Sequence, residues 1–358
     1  MRLNFLSIVI SCFLLSGCAA PLTMAPQGTN QEIAHEAQKQ RSLLYKRLVD
    51  NQIDIHRISY PIMANNAPSC AQKVTPDTGI MYWNIHDVPT QYRHAAYKIY
   101  KMDNNLQIMG VAPNSPAMRA GLRPSDLIIS VNGQTIPRNK NARRSFERSM
   151  SQAGYKQSQI VFKRNGTAHS TLLIPEKACA YPVILINKNE LNAMADGENI
   201  IIFRGMLRFA ENDDEIALVI AHEMAHNTMG HIKKKQQNAM VGSLGGMALD
   251  IAIAAAGVGS GNQFSRMGGQ LGALSYSVAF EQEADYVGMY YLAQAGYNTK
   301  GVADFWRRMA TEGQSSINHR TSHPSSPERF LSIERTHNEI NRKKVQSLPL
   351  IPNIRPKK

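Results

Sequence analysis

Cysteine is scarce in this chain: there are four in 358 residues, and no two are spaced Cys-x-x-Cys. That excludes a paired-thiolate zinc site and a dithiol redox motif of this spacing. A basic stripe with interleaved aromatics is also missing. The formal net charge is +13, yet Lys and Arg are spread along the chain and aromatics make up only 7%. A nucleic-acid surface is therefore unsupported. The clusters Lys233-Lys234-Lys235 and Arg342-Lys343-Lys344 read as solvated helix faces or tails, with weak attraction to anionic lipid as their remaining use. Beyond Leu15 no uncharged apolar run is long enough for a membrane span. Residues 239–273 are small, apolar and glycine-rich but carry Asp250.

What is present begins with an export signal. Arg2 precedes the mostly apolar stretch Phe5 to Leu15, which has the length of a signal-peptide core. Leu15-Ser16-Gly17-Cys18 resembles the bacterial lipobox. The resemblance implies cleavage after residue 17, a lipid on Cys18 and, with Ala19 rather than aspartate next, sorting to the outer membrane. Residues 18–30 read as a flexible tether reaching up to about 40 Å. Cys70 and Cys179 then remain as an even pair in an oxidising compartment, so a disulfide between them is expected.

Apolar residues at mostly helical spacing over 31–60 predict an amphipathic helix that Pro61 ends and that packs on the main body, with 31–75 as its N-terminal helical part. Residues 76–178 read as an inserted, β-rich domain. Ser115-Pro116 opens a short helix and Gly121 closes it; Leu127 to Val131 is a strand. Asn132-Gly133 and Asn165-Gly166 are tight hairpin turns, the second between Ile160–Arg164 and Ser170–Ile174. This run resembles bacterial PDZ domains. It departs at Ser125, where that family commonly has glycine before the aspartate. The resemblance implies a module that adds an extended peptide end to a sheet edge, with a carboxylate-binding loop near residues 80–110. A spacer or lid is the other reading. Cys70 and Cys179 bracket the insert.

Residues 179–345 carry the chemistry, followed by a basic tail, 346–358. Pro182 to Ile186 and Ile200 to Phe203 predict strands around an Asp196-Gly197 turn. Asn212 can cap a helix and Glu215 complete a capping box. The apolar helix that follows, Ile216 to Met229, contains His222-Glu223-Met224-Ala225-His226. Two histidines four apart share one helix face, so both can reach one metal ion, and Glu223 lies within reach of a metal-bound water. Burying three such groups without a partner would be costly, which favours a metal. A tetrahedral catalytic zinc needs a third protein ligand. A helix over Val278 to Ala295 offers Glu281 for that place, with Asp285 one turn on to accept a hydrogen bond from a ligand histidine, while Glu283 points elsewhere, to the surface. A His₂Glu set also accepts manganese or cobalt in vitro.

Asn192-Ala193-Met194-Ala195, Arg204-Gly205-Met206-Leu207, His222 to His226, Glu281-x-x-Ala-Asp285 and Ser322-His323-Pro324 with Arg329 follow one another in the chain. In this order they resemble the HtpX/BepA/LoiP family of zinc metallopeptidases, gluzincins related to the CAAX prenyl proteases. The resemblance implies an α+β fold: a mainly helical peptidase body with a small β-sheet, plus the inserted PDZ-like domain. It implies one Zn²⁺ on His222, His226 and Glu281, with Glu223 as general base. Asn192, Ala193, Met194 and Ala195 would border the substrate, and His323 would serve the oxyanion or act as a reversible fourth ligand. His231, at the end of the active helix, would be structural or support a ligand. The implied activity is endoproteolysis of misfolded or misassembled envelope proteins from the periplasmic face of the outer membrane, with outer-membrane lipid and the assembly machinery as partners. The rival reading is a chaperone-like assembly factor for outer-membrane proteins with a mostly closed zinc site. Residues 239–273 read as a plug or lid over the site, with ordinary buried packing as the alternative.

Overall fold

A computed structural model of the chain describes residues 23, 25–255, 263, 266–267, 277–312 and 326–354. Cys18, His323 and most of 256–276 lie outside the described residues. The helices are α1 (Asn30–Asn65), α2 (Arg93–Tyr100), α3 (Pro116–Arg119), α4 (Ala142–Ala153), α5 (Arg204–Phe209), α6 (Asp213–Thr228), α7 (His231–Ala255), α8 (Ser277–Gln294), α9 (Val302–Glu312) and α10 (Pro327–Val345). The strands are β1 (Val74–Asp77), β2 (Ile80–Trp83), β3 (Leu106–Val111), β4 (Leu127–Val131), β5 (Gln134–Thr135), β6 (Ser158–Arg164), β7 (Thr167–Leu173), β8 (Glu176–Cys179), β9 (Val183–Ile186), β10 (Ala193–Ala195) and β11 (Ile200–Phe203). The fold is α+β, a mainly helical body with a small sheet and an inserted β-rich PDZ domain. No helix among the described residues is long and apolar enough to cross a membrane.

The chain divides into two units after Arg41. In the first, Thr29 and Glu32 form a reciprocal cap that starts α1: the Glu32 carboxylate accepts from the Thr29 amide at 2.8 Å, and Thr29 Oγ1 accepts from the Glu32 amide at 3.3 Å. The second unit, Ser42–Lys358, holds the rest of the chain.

The prediction that Pro61 ends the first helix fails. α1 runs through Pro61 to Asn65. Proline inside a helix costs about 3 kcal/mol. Against this, Ile58, Ile62 and Met63 are all buried in the main core, and each fully buried apolar side chain contributes about 1.5–3 kcal/mol. Burial of this turn therefore outweighs the lost hydrogen bond. α1 also packs on more than the peptidase body. Tyr45 and Val49 join Val88, Ala95, Ala96, Met102 and Met109 in a separate apolar cluster with the insert.

The insert folds as a six-stranded antiparallel sheet in the order β2-β3-β4-β6-β7, with β5 on β4. Both predicted Asn-Gly turns take left-handed angles: φ 50° and 78° at Asn132-Gly133, 50° and 85° at Asn165-Gly166. Ser115 caps α3 by accepting from the Met118 amide, and Gly121 follows that helix at φ 76°. Entry and exit are closed by the β1–β8 ribbon, which pairs Val74 with Cys179. Cys179 is joined to Cys70 by a disulfide that spans 109 residues of chain.

Ser125 stands at φ 74° with its amide fixed to the Ile108 carbonyl at 2.8 Å. A side chain in that region costs about 1–2 kcal/mol, and glycine's extra freedom in the unfolded chain returns about 0.5–1. Ser125→Gly is therefore expected to stabilise the protein by about 0.5–1 kcal/mol, read as a higher urea midpoint at unchanged slope. An unchanged or lower midpoint would contradict the strain argument.

The peptidase sheet has the order β10-β11-β9, antiparallel then parallel. It leaves β10 as an edge strand beside α6. The core joins this sheet to α6, α8, α9 and α10.

Candidate metal centre

α6 starts where Asn212 accepts a hydrogen bond from the Glu215 amide at 3.1 Å. Only half of the expected capping box forms. The Glu215 carboxylate accepts instead from the Glu211 amide at 2.8 Å and is held by Arg308 from α9, also at 2.8 Å. From Glu215 to Asn227 every residue of α6 is buried. α6 is thus a core helix, enclosed on all sides, and its polar residues need partners inside the protein.

Those partners come mainly from α8, which packs alongside. His222 Nε2 and His226 Nε2 lie 3.1 Å apart. The Glu281 carboxylate faces both, with Oε2 at 3.4 Å from His222 Nε2 and Oε1 at 3.4 Å from His226 Nε2. Glu223, 1% exposed, is buried on the same helix. The two imidazole nitrogens stand close to one tetrahedral edge apart, such an edge being about 3.3–3.4 Å for bonds of about 2.0–2.1 Å, and one donor atom from each of the three residues lies within 4.8 Å of the others. His222, His226 and Glu281 could therefore hold a small four-coordinate ion. The six to eight oxygens and longer bonds that calcium needs are not offered among the described residues.

The outer nitrogens of both imidazoles are fixed. His222 Nδ1 lies 3.0 Å from Asp285 Oδ1. Asp285 is gripped by Arg329 of α10 through two bonds, Nε to Oδ2 at 2.7 Å and Nη2 to Oδ1 at 2.9 Å. Arg329 Nη1 also lies 3.5 Å from Glu281 Oε2. His226 Nδ1 lies 3.0 Å from His231 Nδ1, and His231 Nε2 lies 2.9 Å from Glu283. With Nε2 of His226 turned inward, its Nδ1–H donates to His231 Nδ1, and His231 Nε2–H donates to Glu283. One prediction is corrected here. His231 does not end the active helix: Gly230, at φ 67°, breaks the chain and His231 opens α7. Glu283 is exposed, as expected from the sequence, and its carboxylate anchors this second relay.

In the metal-free protein the two histidines titrate in opposite directions. Burial works against protonation of His222, but the hydrogen bonds and charges of Asp285 and Glu281 outweigh it and hold the pKa near 9. Burial dominates at His226, with the neighbouring His222 adding to it, and brings the pKa down to about 4. Burial pushes the Asp285 carboxyl up, yet Arg329 and His222 leave it below its ordinary value.

Several contributors were not assigned a role from the sequence. Arg329 appears in the family-like pattern, but nothing in its spacing shows that it clamps Asp285. Trp306 of α9 lies beside His222, ring centroids 5.3 Å apart, with the Arg329 guanidinium 5.7 Å above its ring. Lys235 of α7 brings Nζ to 3.7 Å from Glu281 Oε1. Asn227 joins the end of α6 to the hairpin after β10, accepting from the Gly197 amide at 2.8 Å and donating to the Asn199 carbonyl at 3.0 Å. That ties the Asn192–Ala195 edge to the histidine helix. A glycine sets the helix spacing. A Cβ on Gly288 would stand 3.1 Å from both Cα and N of His222.

Gly288→Ala isolates this contact. In an open helix the change would gain up to about 1 kcal/mol. Here we expect a loss of about 1–3 kcal/mol from overpacking, together with weaker metal binding as Glu281 and Asp285 are pushed off the histidines. Urea unfolding and a metal-competition titration check both. A stability gain would mean that α6 and α8 are not in contact at this point.

The structure thus brings together His222, Glu223, His226, Glu281 and Asp285. It places Asn192 to Ala195 at the sheet edge, and Cys70 and Cys179 at the foot of the insert. Comparison with known proteins matches residues 138–337 to peptidase family M48 and residues 107–147 to the PDZ domain. The chain is similar to a beta-barrel assembly-enhancing protease of Yersinia pestis, with 30% identity over 36% of this chain and 28% of that protein. It is also similar to the metalloprotease LoiP of Escherichia coli K12, with 35% identity over 43% of this chain and 60% of LoiP. The matched part is thus less than two thirds of either relative. Among solved structures, the HtrA3 PDZ domain bound to a phage-derived ligand aligns at 20% identity over 29% of this chain and 88% of that one, with a TM-score of 0.22. The family match covers more than half of the sequence and includes the histidine helix, Glu281, Asp285 and Arg329: the chain belongs to peptidase family M48.

Proposed function

We propose that this protein is a zinc-dependent endopeptidase of the bacterial cell envelope that cleaves misfolded or misassembled envelope proteins. The observation that carries the reading is the convergence of His222 Nε2 and His226 Nε2 on the Glu281 carboxylate, a different oxygen of which lies 3.4 Å from each, with Glu223 buried on the same helix. Two imidazoles and one carboxylate converging on one point suit zinc better than the harder, oxygen-seeking ions. His222, His226 and Glu281 hold the ion. When bound, it lowers the pKa of water and polarises a carbonyl.

The chain's own groups supply the rest. A substrate segment adds to the β10 edge at Asn192 to Ala195, which presents the scissile bond along α6. The Glu223 carboxylate takes a proton from the attacking water and delivers it to the nitrogen of the departing amine as the C–N bond breaks. Asp285 and His231 keep the ligand imidazoles oriented, each with its proton on Nδ1. His323 serves the oxyanion from the Ser322-His323-Pro324 segment. Cys18 carries the lipid that holds the protein at the outer membrane. The name of one relative, a beta-barrel assembly-enhancing protease, supports outer-membrane proteins and their assembly machinery as substrates and partners.

The test is metal removal with casein as the unfolded substrate. Chelation is expected to abolish cleavage, and one equivalent of zinc per chain to restore it. Cleavage that survives complete stripping, verified by elemental analysis, would sink the zinc-peptidase reading. Retention of unfolded client with no cleavage in any metal state would favour the chaperone-like factor instead.

A further inference from the structure

The PDZ insert carries a groove that the proposed chemistry does not use. It has a volume of about 310 Å³ and lies between β2, the edge strand of the six-stranded sheet, and α4. Ile80, Tyr82, Phe146 and Met150 supply its apolar wall, and the Tyr82 and Phe146 rings meet edge-to-face at 4.6 Å. An edge strand facing such a wall is the geometry for strand addition.

The loop that leads into β2 decides what can add. A terminal carboxylate is captured by free backbone N–H groups in a concave turn. The turn that leads into β2 is Asp77-Thr78-Gly79, just before the region 80–110 where the sequence suggests such a loop, and it is already filled. Asp77 Oδ1 accepts the Gly79 amide at 2.8 Å, so a side-chain carboxylate of the protein sits at the donor that a ligand's carboxylate would need. Gly79, at φ 72°, is fixed on its other side: its carbonyl accepts from the Ala112 amide at 2.8 Å and lies 3.0 Å from His56 Nε2. The turn also packs closely on the start of α3, since a Cβ at Gly79 would stand 2.2 Å from the Ser115 Cβ, which leaves it no room to move in that direction. No cation offsets Asp77. It forms no ion pair among the described residues, and burial keeps the His56 pKa below its ordinary value against the opposing pull of Gly79 and Asp77. Glu147 adds a second carboxylate to the groove, paired with Arg143 at 2.9 Å on the exposed flank. The groove is lined by two acids and no Lys or Arg, in a chain of net charge +13.

We infer that the β2–α4 groove binds an extended, lysine- or arginine-bearing segment from within a polypeptide and rejects a free C-terminal carboxylate, with Asp77 as the residue that sets this choice. Entry by an internal segment suits a module that holds a long chain. Like charges placed against each other at an interface are strongly disfavoured, which predicts discrimination of about tenfold or more.

The test uses the full-length Glu223→Gln protein, so that probes stay intact, and fluorescence anisotropy with fluorescein-labelled Gly-Ser-Lys-Val-Lys-Val-Lys-Val ending in either an amide or a carboxylate. The amide is expected to bind at least about tenfold tighter than the acid. In Asp77→Asn, which keeps the Gly79 hydrogen bond, the gap should shrink to about threefold or less. Replacing the peptide lysines by glutamates should weaken binding by about tenfold or more. Ser151→Trp, a change at an exposed position on the groove wall, should abolish binding of all probes. The inference is overturned if the acid binds as well as the amide, if the gap persists unchanged in Asp77→Asn, if Ser151→Trp binds normally, or if no probe binds at millimolar concentration.

Discussion

Replacing Glu223 by glutamine is expected to slow casein hydrolysis by about 10²–10⁴-fold while leaving metal content unchanged. The separation of the two readouts is what matters. Glu223 is not one of the three convergent donors; those are His222, His226 and Glu281. Glutamine has the same shape and stays acceptable to the buried surroundings of α6, so folding and metal binding should persist. It cannot accept and return a proton at the reacting centre. Elemental analysis of the purified variant should show metal near one per chain, and its urea midpoint should match the wild type. Loss of metal along with activity would instead make Glu223 a ligand and overturn the assigned geometry. Retained activity would remove it from the reaction altogether.

The parts of the site that could be read in the sequence are those encoded locally. His222 and His226 fall on one face because a helix repeats every 3.6 residues, and Asn212 marks where that helix starts. Glu281 and Asp285 are legible for the same reason, one turn apart on α8. The Asn132-Gly133 and Asn165-Gly166 turns are equally local, since φ above zero is set by residue type at the turn. What escaped the reading depends on contacts between distant segments. Pro61 is a helix stop by its own chemistry, and only burial of Ile62 and Met63 in the core explains why α1 continues. Arg329 is an ordinary arginine until α10 packs against α8 and brings it to Asp285. Gly288 looks like a weak point in a helix, while the structure makes it the contact with His222. His231 stands out by its position after the motif, but its link from His226 to Glu283 requires the break at Gly230. Asp77 carried no signal at all, because its meaning lies in a turn whose donor it occupies.

Arg329→Met is expected to cost about 3–5 kcal/mol of stability in the metal-free protein and to weaken metal binding by about 10–100-fold. Asp285 is buried, 2% exposed, and its two bonds to Arg329 are the main compensation for keeping a carboxylate there. Methionine fills much of the arginine's volume against Trp306 but leaves that charge without its cation. The strain can be relieved in either of two ways: the carboxylate gains a proton, or α8 shifts to reach water. Both disturb the Oδ1 atom that orients His222 Nδ1 at 3.0 Å. The double variant Arg329→Met/Asp285→Leu then separates folding from function. Replacing a buried ion pair by apolar side chains of similar size is often neutral or stabilising, so the double variant should recover most of the lost urea stability. It should not recover the metal affinity, because leucine gives His222 Nδ1 nothing to donate to. Recovery of stability without recovery of affinity would show that the pair is retained to aim an imidazole. If affinity returned with stability, Asp285 would be a packing residue, and the orientation of His222 would have to come from elsewhere.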